Sequence, residues 1–156
     1  MKTAEKIASS IGKGLVAGFG GTAAMTVSST VEAKLRGRAP STAPARATAK
    51  ALGIATFEDA IAQARFNTLS HWGYGTGWGI VRGLLDAAGL PAHKATAAHG
   101  AAIWGGAQVT LPALDIASPA IFWLKQEIAI DAFHDTVYAL ATGLAYQFLS
   151  SGSRGD

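Results

Sequence analysis

GLVAGFGGTAAMTVSSTV, residues 14–31, decides the reading of this chain. It holds no formally charged side chain, and Glu32, Lys34 and Arg36 follow it at once. A helix needs about 20 mostly apolar residues to cross a bilayer core. Two further uncharged stretches occur, ATAAHGAAIWGGAQVTLPAL at 95–114 and TVYALATGLAYQFLS at 136–150. A fourth, FNTLSHWGYGTGWGIVRGLL at 66–85, carries only Arg82 and is the least hydrophobic. These stretches predict an all-α fold, an integral membrane bundle of four transmembrane helices with glycine-rich close packing.

Composition points the same way. Only 15% of the 156 residues are charged, against about 25% in an ordinary soluble domain. Mean hydropathy is just +0.26, because 19 glycines and many alanines dilute it. A soluble helical bundle is therefore the alternative architecture. The net charge of +3 is spread along the chain with no basic run. No stacking aromatics are interleaved with it, so nucleic acid is not an expected partner. The absence of cysteine excludes disulfides, thiolate metal sites and a cysteine nucleophile. Lys2, Lys6 and Lys13 ahead of an apolar run resemble a signal peptide. The run is glycine-rich and longer than a usual leader core, so it reads as a first helix.

Working outward, we expect helices at about 11–34, 57–85, 92–114 and 126–149, in one domain over 1–150 with a flexible tail at 151–156. The connection 36–56 is a surface loop or short helix. Ser41 or Thr42 would cap it, Pro44 would sit in its first turn and Gly53 would stop it. Thr56 and Asp59 make a capping-box-like start for the next helix. Gly14 and Gly18 form a GxxxG pair. Gly73, Gly75, Gly77, Gly79 and Gly83 supply overlapping pairs, and such small residues let membrane helices approach closely. Arg82 is expected to snorkel and pair with Asp86, one turn on. Pro112 should kink or end its helix, leaving Phe122 and Trp123 at headgroup level. Basic residues are nearly balanced between the two ends of the bundle. We expect an inner-membrane protein with both termini in the cytoplasm.

Alternating topology gathers polar residues at one end. Glu32, His71, Asp131, His134 and Asp135 form the candidate proton or ion cluster. On the last helix Glu127, Asp131, His134, Asp135, Tyr138 and Thr142 recur at spacings of three and four, which makes a stripe. Ionisable groups inside a span usually face the bundle interior or a water-filled cavity. A relay of protons or ions is one reading. Hydrated interfacial groups, or hydrogen bonds that tie helices together, are the other. His99 lies nearer the opposite end and should not join the cluster. His93 and His99 are six residues apart and cannot share a metal ion on one face. Only Asp131-x-x-His134 matches a di-iron pattern, which wants two such motifs. No metal or cofactor is expected. GxSxG, HExxH and P-loop signatures are absent, which disfavours an enzyme.

The motifs GRAPSTAP (37–44), HWGYGTGWGIVRGLL (71–85), AAHGAAIWGG (97–106), LPAL (111–114) and EIAIDAFHDTVYALATGLAY (127–146) resemble a group of small bacterial membrane proteins without an assigned function. The resemblance covers most of residues 14–149. It implies four helices and no particular activity. Relatives in that group place a second histidine where this chain has Asp135, so a two-histidine site is not carried over. The expected role is structural or accessory, with the bilayer, other membrane subunits or a second copy as partners. The alternative is a small proton- or ion-coupled transporter using the polar cluster.

Overall fold

The computed structural model describes residues 3–152. It is 83% helical, without strands among the described residues. Five helices follow in order: α1 (Thr3–Arg36), α2 (Ala43–Ala51), α3 (Ala60–Ala87), α4 (Ala92–Ala113) and α5 (Lys125–Ser151), with a 3-10 turn at Ala120–Phe122 before α5. The four long helices make the bundle. α1 packs on α3 and α5, α4 packs on α5 and α3, and α2 lies against α3.

Local chemistry sets the ends. Pro44 occupies the first turn of α2, and Gly53, at φ +70°, breaks it. The Asp59 carboxylate accepts the Ala62 amide at 2.7 Å and caps α3. Asp59 is thus the cap itself, where a box begun by Thr56 was expected. Thr42 stands at the N-terminus of α2 without a side-chain capping bond. Pro112 lies in the last turn of α4. The chain leaves through Asp115 at φ 52°, a left-handed conformation that aspartate tolerates better than most residues. α1 begins some eight residues before its expected start, and α2 fills part of the connection left open as loop or helix.

Close packing centres on α1 and α3. A Cβ added at Gly18 would meet Thr76 O at 2.7 Å and Gly79 Cα at 2.9 Å. Gly14 and Gly79 face each other backbone to backbone, and Gly83 faces Ser10 in the same way. Gly75 accommodates the Thr22 side chain. A Cβ added at Gly73 or Gly77 would meet nothing within 4 Å, so neither is a close contact point within the chain.

Helix hydropathy gives the four expected spans no support. Among the described residues, no helix is long and apolar enough to cross a membrane. The uncharged stretches owe their lack of charge to Gly, Ala, Ser and Thr, which add little hydropathy.

The distribution of side chains is nevertheless unusual. The largest fully buried side chains are Arg82, Tyr146, His99, Thr22 and Thr142. Alanines make up most of the apolar core. Phe19, Leu69, Leu144 and Phe148 are 55%, 72%, 68% and 81% exposed. Water-soluble bundles bury such residues by preference and leave arginine outside.

Candidate functional site

The polar end of the bundle is built by the last turns of α1 and the first of α5. Arg36 donates to Glu32 at 3.1 Å and to Glu127 at 2.5 Å, which ties the two helices together. Arg38, just past α1, donates to Glu32 through Nε at 3.0 Å and through a second, shorter bond. The Arg38 hydrogen bond is the main force holding the Glu32 carboxyl down at about 2. Desolvation opposes it and Arg36 adds to it. Glu127 is likewise lowered, first by its bond from Arg36. Lys50 joins α2 to the loop after α4, donating to Leu114 O at 2.6 Å and to Asp115 at 3.3 Å.

One turn inward, His134 reaches α1 from α5. Its Nδ1 lies 2.9 Å from Ser28 Oγ. The Ser28 hydroxyl also lies 3.0 Å from Met25 O. The His134 Nε2 faces Glu32 Oε2 at 3.7 Å. His71 is held apart from this pair. Its Nε2 meets Thr26 Oγ1 at 2.8 Å, and Thr26 in turn donates to Thr22 O at 2.7 Å.

The two aspartates turn the other way, toward α4. Asp131 accepts from Trp104 Nε1 at 3.1 Å and from Gln108 Nε2 at 3.3 Å. Asp135 is 9% exposed, and no hydrogen bond or ion pair holds its carboxyl among the described residues. It lines a groove of about 530 Å³ between α4 and α5, together with Thr96, Gly100, Trp104, Leu140 and Leu144. Of the five cluster residues, the fold therefore joins Glu32 to His134 and disperses His71, Asp131 and Asp135. Among the described residues no group of three His, Asp or Glu side chains is placed to hold a metal ion.

A second polar layer, outside the candidate cluster, lies deeper. Arg82 is fully buried and lies over the Tyr146 ring, 4.4 Å from its centroid. It does not snorkel. Its Nε and both terminal nitrogens lack hydrogen-bond partners among the described residues. Asp86 instead accepts from Tyr146 Oη at 3.1 Å. His99 Nε2 donates to Trp78 O at 3.0 Å, and Tyr138 Oη donates to Gly75 O at 2.5 Å. Side chains from α4 and α5 thus converge on the backbone of α3. The available signal was Arg82 itself, a lone charge flanked by Gly79 and Gly83 in an otherwise uncharged stretch.

No protein-family model matches the chain, and neither a curated protein nor a solved structure does. The likeness read from the motifs therefore adds no identification to the geometry.

Proposed function

We propose that this chain is a small membrane-embedded bundle of structural or accessory role, with its outer face in lipid and its polar side chains turned inward. One observation carries the reading: the bundle buries Arg82, His99, His134 and Asp135 and exposes Val16, Phe19, Leu69, Leu144 and Phe148. In water each such exposed side chain forgoes about 1.5–3 kcal/mol of burial. In a bilayer the same arrangement is favourable, and buried polar groups serve as ties between helices. The embedded lengths on this reading are about 14–31, 67–85, 95–113 and 133–150, which leaves Glu32, Arg36, Arg38 and Glu127 at the headgroup level. Among the described residues no helix carries the apolar length of a conventional span. The reading instead rests on which side chains face out. Gly73 and Gly77, open on the outer surface of α3, give a neighbouring subunit or a second copy a place to approach.

The test uses the lack of native cysteine. Single cysteines replace Phe19, Leu144, Leu52 and Ile121 in turn. In membrane fragments open on both sides, positions 52 and 121 should react with a water-soluble maleimide. Positions 19 and 144 should react only after detergent is added. Equal labelling at all four, with release of the protein by alkaline carbonate, sinks the proposal.

A proton- or ion-coupled transporter is the second reading. It is favoured by the His134–Glu32 approach at 3.7 Å and the buried Asp135. Liposomes with His134→Gln or Asp135→Asn protein should then lose pH-driven flux while their helicity is kept. Unchanged flux in both removes this reading.

A further inference from the structure

The groove between α4 and α5 has a composition that selects for charge. Its walls are mostly small or apolar, Gly100, Leu140 and Leu144 among them, with His93, Thr96, Thr136 and Gln147 as further polar lining. Trp104 forms an aromatic side of it. The Trp104 indole is held in place, because its Nε1–H is committed to Asp131 at 3.1 Å. Asp135 also lines the groove, more than nine-tenths buried. Its carboxyl has no donor among the described residues. Asp131, one turn earlier on the same helix, has two. The two acids therefore differ in kind: Asp131 anchors a wall, and Asp135 is left open to whatever enters.

A buried carboxylate without a partner is strongly disfavoured, and an incoming cation relieves that cost. An aromatic face beside a cation adds attraction through the ring quadrupole. A volume of about 530 Å³ falls within the range of small-molecule sites, which are largely apolar with a few placed polar groups. We infer that the α4–α5 groove is a binding site for a lipophilic organic cation, with Asp135 as the counter-charge and Trp104 as the aromatic wall. The inference does not depend on bilayer insertion, because the groove and its unpartnered acid belong to the bundle itself.

Two probes of the same shape and opposite charge separate this proposal from a general apolar slot. Tetraphenylphosphonium and tetraphenylborate are each equilibrated by dialysis against the purified full chain in a neutral maltoside detergent. Saturable binding is read above micelle partition. The phosphonium should bind saturably and the borate should not. Asp135→Asn should weaken phosphonium binding at least tenfold. Ala101→Phe narrows the groove from its exposed edge, where Ala101 sits, and should abolish binding while the helical signal stays intact. Trp104→Leu should weaken it by a smaller factor. Should the asparagine variant fail to fold, the Ala101→Phe protein and the charge-reversed probe still decide. Equal binding of both probes makes the groove a slot for any apolar tail and overturns the proposal. Undiminished phosphonium binding to Ala101→Phe places the site elsewhere and overturns it too.

Discussion

Arg82 is the most consequential side chain in the molecule. It is fully buried, its three nitrogens lack hydrogen-bond partners among the described residues, and it lies over the Tyr146 ring. Replacing a buried ion pair by apolar residues of similar volume is often neutral or stabilising, and Arg82 has no hydrogen-bonded partner among the described residues to leave behind. Arg82→Met should therefore keep or raise the thermal midpoint in detergent. Arg82→Ala, which also leaves a void beside Tyr146, should lower stability by about 2–4 kcal/mol. A Met variant as damaged as the Ala variant would mean that the guanidinium has a firm partner. Glu32 gives a prediction of opposite character. Its carboxyl is held near 2, against an ordinary 4.5, so the folded state binds the proton less readily than the unfolded one. Its contribution is complete above pH 4.5 and is lost as pH falls toward 2. Thermal midpoints of the wild-type protein and Glu32→Gln should differ by a constant amount above pH 4.5 and converge below it. A gap that persists unchanged down to pH 2 would refute the assignment to Arg38 and Arg36. At this scale the sequence was partly legible. Glu32 and His134 do meet. Asp135 parts from His134 because consecutive helical residues are turned by about 100°, which sends one toward α1 and the other toward α4.

The helices were easier to read than their contacts. Charge-free lengths and breakers such as Pro44, Gly53 and Pro112 place four long helices and their connections close to where they lie. The glycine pairs of α3 were ambiguous for a geometric reason. Residues 73 and 77 share one face, residues 75, 79 and 83 share another, and an offset of two residues turns the helix by about 200°. Nothing within α3 says which face meets α1. Only the approach of Ser10, Gly14 and Gly18 selects the second. The two registers should accordingly respond in opposite ways to bulk. Gly79→Leu should prevent α1 and α3 from closing, with loss of the cooperative thermal transition. Gly73→Leu and Gly77→Leu should leave the transition of the isolated protein within about 0.5–1 kcal/mol of its starting value, the cost of an ordinary surface change or less. Circular dichroism melts decide both. A collapsed transition in Gly77→Leu would reveal a contact that the single chain does not make.

For the whole molecule, composition foretold an all-helical bundle but could not foretell which side chains turn inward. Sparse charge is compatible with a bilayer and with a bundle of small residues alike. Only the three-dimensional arrangement displays large apolar groups outside and an arginine within. The packing order has a kinetic corollary. α1, α3 and α5 are joined through α1, whereas α4 packs mainly on α5 and α3 and meets α5 partly across an open groove. Amide protons of α4 should thus exchange with deuterium sooner than those of α1 in a time course on the folded protein. Equal protection of both helices would point to one indivisible cooperative unit. Faster exchange in α4 would make it the first helix to detach and the last to dock, so that the width of the groove follows the breathing of a single outlying helix.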